Sequence, residues 1–266
     1  MERMMIHEIP GFSFGQVQDL AAGTGCTVIL CPEGGVTGVD VRGGSPGTRD
    51  TDALNPVCNR EVVHAVVLTG GSAFGLDAAG GVMKKLEEVG VGRDVMVTVV
   101  PNVCAAVLFD LKFGSMEIRP DGAMGYVACE AALRELPFQE GNFGAGTGCT
   151  IGKIRGAQFS MKGGIGACAF RQGDLMVGAV VACNAMGDVL ENGTILAGAR
   201  DDSGRGFDTE DLHRLFERFY RGKSENASGY GIGLALCKMI ITRQDGTITA
   251  KNHPQGGAVF IIRFPK

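Results

Sequence analysis

The stretch Val62–Glu88, which reads VVHAVVLTGGSAFGLDAAGGVMKKLEE, decides the fold of this chain. Val62–Thr69 is a continuous apolar run, as expected for a strand that is buried on both faces. Gly70–Gly75 interrupts the run, and the apolar residues of Leu76–Val89 then recur at helical spacing, with charged residues on the other face. The stretch therefore predicts a strand, a tight turn and a helix.

Strand and helix patterns also occur on both sides of this stretch. Further strands are predicted at Thr27–Cys31, Val95–Val100 and Leu175–Asn184, and Ala123–Leu136 is predicted to be a helix. The chain has 43 glycines, which stand between short apolar segments and do not follow a collagen period. This pattern predicts tight turns and close backbone packing in an α/β (α+β) fold.

Composition excludes several classes of function. The formal net charge of −4 argues against a nucleic-acid partner, because phosphate binding requires a basic face. No apolar stretch approaches the roughly 20 residues of a membrane span, and the N-terminus shows no secretory signal pattern. The nine cysteines have no zinc-site or paired spacing, which predicts reduced thiols, no metal site and a cytoplasmic protein.

Two glycine-rich motifs are similar to a nucleophile elbow and to a phosphate loop, but each lacks residues that the pattern requires. In Gly70–Gly75, Phe74 stands where a nucleophile elbow around Ser72 needs its last glycine, so a tight strand-to-helix turn is favoured. Gly144–Lys153 lacks the first glycine and the Ser/Thr of a phosphate loop, which favours close backbone packing beside a strand or a site. His64, within an apolar strand, is interpreted as a core residue.

Several segments up to about residue 200 resemble, in the same order, the DmpA-like peptidases, which include the L-aminopeptidase/D-esterases and the β-peptidyl aminopeptidases. The segments are Gly25–Leu30, Gly38–Arg49, Val66–Ala79, Glu140–Gly148, Met161–Gly166 and Val177–Asn184. The resemblance implies an αββα sandwich that cleaves itself before a Ser or Thr, which then serves as an N-terminal nucleophile with its own amine as base.

The same resemblance implies the site and the partners of this region. Asn184 matches the family asparagine whose side-chain amide helps to stabilise the oxyanion. The substrate would be a small peptide or an amide, no cofactor is needed, and a homo-oligomer is expected. The family nucleophile lies a few tens of residues beyond Arg200, where this chain has a different sequence. The prediction is therefore an incomplete sandwich without its nucleophile segment, and an inactive enzyme.

Residues 201–266 resemble the C-terminal half of a sensor histidine kinase ATPase domain. The resemblance rests on two glycine boxes, a Phe box at Phe216–Tyr220 and a predicted terminal hairpin around Pro254–Gly257. It implies a partial Bergerat-type α/β segment that binds ATP without the usual magnesium ligand, as part of two-component signalling. The implied ATP-binding residues are Asp202, Gly204, Gly206, Gly229, Gly231 and Gly233.

The sequence therefore predicts two regions, 1–200 and 201–266, with a boundary at Arg200–Asp201. Three functions stay open: a DmpA-like aminopeptidase or amidohydrolase, an ATP-binding kinase fragment, and an inert chimera. Self-cleavage would support the first, and stabilisation by nucleotide would support the second.

Overall fold

The structure is a computed structural model that describes residues 1–191, 194–199, 212, 214–217, 238–239, 242, 245–252 and 258–263. The chain divides into two units. The first consists of Met1–Cys149 and Gly163–Asn184, and the second of Thr150–Lys162 and Ala185–Lys266.

The described strands range from two to twelve residues. In chain order they are β1 (Glu2–Met4), β2 (Ser13–Asp19), β3 (Thr24–Gly35), β4 (Thr48–Arg49), β5 (Val63–Thr69), β6 (Arg93–Asp94), β7 (Val99–Val100), β8 (Val103–Val107), β9 (Thr150–Ile151), β10 (Met161–Lys162), β11 (Gly164–Gln172), β12 (Leu175–Cys183), β13 (Val189–Glu191), β14 (Thr194–Ala197), β15 (Thr247–Asn252) and β16 (Ala258–Arg263).

The first unit has two α-helices, α1 (Ala78–Glu88) and α2 (Gly122–Leu133). The side chain of Asp121 caps α2 by accepting a hydrogen bond from the amide of Met124, which satisfies one of the unpaired donors of the first turn. Single 3-10 turns lie at Ile6–Glu8, Asp52–Leu54, Gly144–Gly146, Lys153–Arg155 and Ala157–Phe159, and a longer one at Ser72–Asp77 leads into α1.

A five-stranded sheet of order β2-β3-β5-β8-β4 forms the centre of the first unit. Its pairs are antiparallel except for β5 and β8, which run parallel with Ala65 opposite Val103. Parallel neighbours need a crossover connection, and α1 lies in the segment that joins these two strands. The helix is thereby placed against a face of the sheet.

Helices α1 and α2 cover one face of this sheet. Val28, Leu30 and Val67 project from the strands into a cluster of buried side chains that Val82 and Leu86 of α1 complete. All five are fully buried. Burial of each such side chain contributes about 1.5–3 kcal/mol, so this cluster is the main source of stability for the layer.

The contact between the two helices depends on small residues. A Cβ placed on Gly81 of α1 would lie 1.7 Å from the carbonyl oxygen of Gly122, and one placed on Gly125 of α2 would lie 1.9 Å from the carbonyl oxygen of Ala78. Only hydrogen at these positions allows the two backbones to approach so closely. The helices therefore pack backbone against backbone at this crossing.

A second sheet, of order β1-β11-β12, packs on the opposite face of the central sheet. Phe14, Ile29 and Leu68 project from the central sheet towards Ile165 and Ala169 of β11. Successive residues of a strand point to opposite faces, which explains why Val28 and Ile29 belong to different clusters. The described part of the first unit thus contains a helical layer, two packed sheets and the small β6–β7 pair.

The outer face of the β11–β12 hairpin is apolar and exposed. Cys168 pairs with Ala179, and Phe170 pairs with Val177. Val177 is 58% exposed and Val181 is 59% exposed. These side chains alternate along the strands with the residues that pack inward.

In the second unit, the described residues form three antiparallel pairs, namely β9 with β10, β13 with β14, and β15 with β16. The last pair aligns Thr247 with Arg263 and confirms the predicted terminal hairpin. Lys238, Met239 and Thr242 are helical.

Four predicted elements are confirmed by β3, β5, α2 and β12, and α1 occupies most of the helix predicted from Leu76. The strand predicted at Val95–Val100 was wrong in extent. Only Val99–Val100 is a strand, because Val95 and Thr98 close a turn between β6 and β7. The mixed α/β class is confirmed, while the boundary at Arg200–Asp201 stays a prediction because both residues lie outside the described part.

Candidate functional site

Asn184 comes directly after the last residue of β12, at the end of the long apolar strand that the sequence predicted. The residue is half-buried, and its side-chain Nδ2 donates a hydrogen bond to the backbone carbonyl of Phe109 over 3.2 Å. This bond fixes the direction of the amide group. The structure therefore holds the predicted oxyanion donor against the segment that follows β8.

The next residue in that segment is Asp110, a buried acid with 4% of its surface exposed. One carboxylate oxygen, Oδ2, accepts a hydrogen bond from Oγ1 of Thr24 over 2.7 Å, and Oδ1 accepts one from the backbone amide of Gly71 over 2.7 Å. These two bonds compensate part of the cost of removing a carboxylate from water. The acid connects the start of β3 with the turn after β5.

That turn contains two successive residues in the left-handed region. Gly71 has a φ of 79° and Ser72 a φ of 55°. The conformation is ordinary for glycine but costs about 1–3 kcal/mol for serine, so it persists only because the surroundings hold it in place. The amide of Ser72 donates to the carbonyl of Leu108, and the amide of Leu108 donates to the carbonyl of Thr69. The turn is thereby fastened to the segment after β8.

The predicted strand-to-helix turn around Ser72 is confirmed. His64 does not serve Ser72 as a base through Nδ1, since this atom accepts a hydrogen bond from the amide of Asn102 over 3.0 Å. Burial lowers the pKa of His64 below its ordinary value. His64 is a core residue with a hydrogen-bond partner, as the sequence predicted.

Glycines surround the Asp110 carboxylate. A Cβ on Gly70 would lie 2.0 Å from Oδ2, and a Cβ on Gly148 would lie 2.4 Å from the same atom. Gly148 belongs to the glycine-rich loop whose sequence resembled a phosphate loop. Its position confirms the interpretation of that loop as close backbone packing.

Sequence reasoning missed Asp110 and Thr24. A signal was available for Asp110, because it is the single charged residue in the apolar run Ala105–Leu111. An isolated acid at the end of a buried strand needs a partner, but the sequence does not indicate which residue supplies it. Thr24 lies 86 residues away.

The implied ATP-binding residues lie outside the described part of the chain, and nothing in the structure tests them. They are Asp202, Gly204, Gly206, Gly229, Gly231 and Gly233. Among the described residues, no group of three or more His, Cys, Asp or Glu side chains is arranged to hold a metal ion. No helix in this described part is long and apolar enough to cross a membrane.

Comparison with known proteins identifies the family. The sequence profile of Peptidase family S58 matches residues 5–229. The chain belongs to Peptidase family S58. The match extends beyond Asp201. It includes the first predicted glycine box, Asp202–Gly206, and the Phe box, so it gives no support to a kinase ATPase segment.

Relatives of this S58 chain include proteins named as an aminopeptidase and as an oligomer endohydrolase. The chain is 44% identical over 184 residues to an uncharacterized aminopeptidase of Mycobacterium leprae, a match that covers 66% of this chain and 49% of the relative. It is 33% identical over 204 residues to a 6-aminohexanoate-oligomer endohydrolase of Agromyces sp., covering 74% of this chain and 53% of the relative. The chain thus spans about half the length of these relatives.

The S58 chain is also similar to two solved structures. A β-aminopeptidase of Burkholderia sp. aligns with a TM-score of 0.48 at 22% identity, over 68% of this chain and 52% of the other. The L-aminopeptidase D-Ala-esterase/amidase of Ochrobactrum anthropi aligns with a TM-score of 0.45 at 20% identity, over 68% and 53% of the two chains.

Proposed function

We propose that this chain carries the oxyanion-binding part of an S58 hydrolase that acts on peptides or other amides, with Asn184 as the donor. The observation that carries the proposal is the hydrogen bond from Asn184 Nδ2 to the Phe109 carbonyl. Attack on an amide carbonyl places negative charge on its oxygen, and a neutral donor held in a fixed orientation stabilises that charge without reorganising.

The substrate class follows from the relatives. One is named as an aminopeptidase and another as an endohydrolase of 6-aminohexanoate oligomers. Both names imply cleavage of an amide bond in a linear chain. We therefore assign small linear peptides or amides to this chain as its substrate class, with no cofactor.

The proposed architecture is the αββα sandwich of DmpA-like peptidases. The helical layer and the two sheets of the first unit support it, and a further helical layer is part of the proposal. An N-terminal Ser or Thr nucleophile would form by cleavage of the chain, with its new amine as base. The resemblance places the nucleophile beyond Arg200, where no matching segment was identified, so the proposal is that this chain stays uncut and does not hydrolyse amides by itself.

Intact mass of the purified chain tests the absence of cleavage. After prolonged incubation we expect a single species near 27.8 kDa. Two fragments whose masses add up to the whole, the second beginning with Ser or Thr, would overturn the proposed inactivity. Release of p-nitroaniline from L-alanine p-nitroanilide, measured in parallel, would do the same.

The role of Asn184 is tested by binding, because binding does not require a nucleophile. A phosphonate analogue of alanyl-alanine carries a tetrahedral anion like that of the reaction intermediate. We expect it to shift the side-chain amide resonances of Asn184 and to bind the Asn184→Ala variant at least tenfold more weakly. Equal affinity for the two proteins would refute the oxyanion role.

The alternative function is ATP binding by residues 201–266. The β15–β16 hairpin lies where the kinase resemblance predicts a hairpin. A rise in melting temperature with ATP that is lost in Asp202→Asn would support this alternative, because a ligand that binds the native state stabilises it. If the chain shows no self-cleavage, no hydrolysis, no phosphonate binding and no stabilisation by ATP, the inert chimera is the remaining hypothesis.

A further inference from the structure

We infer that Asp110 is a positioning residue that sets the direction of the Asn184 amide through the Phe109 carbonyl. The inference rests on the proposed function, since it concerns the residue proposed as the oxyanion donor. Asp110 touches neither Asn184 Nδ2 nor a substrate in this role. It acts on the acceptor to which Nδ2 is bound over 3.2 Å.

The connection between the two residues is a single peptide unit. The carbonyl of Phe109 and the amide nitrogen of Asp110 belong to the same planar group, so the position of the Asp110 backbone determines where this carbonyl points. The side chain of Asp110 is fixed at both oxygens, by Thr24 Oγ1 and by the amide of Gly71. The carboxylate therefore anchors one side of the peptide unit.

The other side of the peptide unit is anchored by backbone hydrogen bonds. The carbonyl of Leu108 accepts from the amide of Ser72 over 2.9 Å, and the amide of Leu108 donates to the carbonyl of Thr69 over 2.8 Å. With Leu108 and Asp110 both held, the intervening carbonyl of Phe109 has little freedom to rotate. Asn184 Nδ2, which donates to this carbonyl, is oriented by it.

Glycine backbone packs closely around the carboxylate. Gly70 and Gly148 lie so close that a Cβ on either would fall within 2.4 Å of Asp110 Oδ2. No ion pair between described residues involves Asp110. A buried carboxylate held by directional hydrogen bonds is sensitive to the loss of either donor, because the remaining charge is then left without sufficient compensation.

The experiment compares two buried threonines of β3 in the full chain. Thr24→Val removes the hydroxyl that binds Asp110, and Thr24→Ser restores a hydroxyl. Thr27→Val is the matched control, since Thr27 is fully buried in the same strand and its Oγ1 accepts from the amide of Ala145 over 3.1 Å. Each of the two valine variants loses one buried hydrogen bond, but only Thr24→Val loses a bond to Asp110.

The measurement is the pair of side-chain NH₂ cross-peaks of Asn184 in a ¹⁵N-edited NMR spectrum, assigned by their loss in Asn184→Ala. We expect these peaks to shift or broaden in Thr24→Val, to return in Thr24→Ser and to stay in place in Thr27→Val. Asp110→Asn, which keeps the shape but replaces one acceptor oxygen by a donor, should move them in the same way as Thr24→Val.

Unchanged Asn184 peaks in a folded Thr24→Val protein would overturn the inference, and so would an equal shift in Thr27→Val. If Asp110→Asn does not fold, the threonine series still decides, because it retains the carboxylate. The phosphonate titration separates this inference from the proposed function. Peaks that respond to Thr24→Val but not to the phosphonate would support positioning by Asp110 and refute the oxyanion role.

Discussion

Replacing Gly81 by alanine tests the backbone contact between α1 and α2. The new Cβ would lie 1.7 Å from the carbonyl oxygen of Gly122, 2.6 Å from the carbonyl carbon of the same residue and 2.7 Å from the amide nitrogen of Tyr126. All three atoms belong to the backbone, so no side-chain rotation can relieve the contact. The neighbouring Gly80 is the matched control, because among the described residues its Cβ would meet only Arg49 Nη1, at 3.7 Å.

The magnitude follows from two opposing effects. Alanine in place of glycine in a helix interior stabilises by about 1 kcal/mol, and both variants gain this amount. Ordinary contact begins at 3.4 Å, so the Gly81 variant must also open the helix crossing by about 1.7 Å. A gap of this size removes much of the dispersion energy across the contact, and we take about 3 kcal/mol, the upper part of the usual range for overpacking. The expected net result is a loss of about 2 kcal/mol for Gly81→Ala, while Gly80→Ala is stabilised by up to about 1 kcal/mol.

Urea unfolding followed by far-ultraviolet circular dichroism measures the difference, since the chain has no tryptophan for a fluorescence assay. The two urea midpoints should differ in opposite directions from that of the unmodified chain, with similar slopes. Coincident midpoints for Gly80→Ala and Gly81→Ala would refute the close helix crossing.

Three further predictions concern titration, thiol reactivity and the second sheet. Because the pKa of His64 is lowered in the folded protein, the unfolded chain binds this proton at a higher pH than the folded one, and the free energy of unfolding should fall as pH drops below about 6.5. The decline should be smaller in His64→Gln. Equal pH profiles for the two proteins would contradict the buried position of His64. Burial raises the pKa of the Cys26 thiol to about 12, so iodoacetamide at pH 8 should alkylate exposed Cys58 and spare Cys26 until urea is added, which mass spectrometry of peptides checks. Val177→Glu, on the exposed face of β12, should lower the free energy of unfolding by less than about 1 kcal/mol. Val180→Glu places a charge in the cluster around Ile165 and Ala169 and should lower it by several kcal/mol. Equal urea midpoints for the two variants would contradict the assigned faces.

Local pattern was sufficient where an element is long and strongly apolar. The run ending at Thr69 and the helical spacing after Leu76 predicted β5 and α1, because burial on both faces or on one stripe leaves a direct trace in the sequence. The nine-residue strand Gly164–Gln172 was missed. Its glycines and alanines carry little β propensity, and its pairing with β12 supplies the hydrogen bonds that make it a strand.

The candidate site was predictable only in part. Asn184 was found through a matching segment, and its position at the end of a strand followed from the apolar run before it. The residues that hold it were not found, because Asp110 accepts from groups that are 86 and 39 residues distant in the chain. Hydrogen bonds between such distant groups depend on how the layers pack, and no local periodicity records them.

The sequence by itself determined the mixed α/β class, the strand–turn–helix unit around Gly70–Gly75 and the peptidase resemblance, because each depends on residues that are near one another in the chain. The tertiary structure decided which carbonyl binds the Asn184 amide and which donors hold the Asp110 carboxylate. A hydrogen bond requires two groups within about 3 Å in the correct direction. For groups so far apart in sequence, only the packed sheets and helices bring them to that distance.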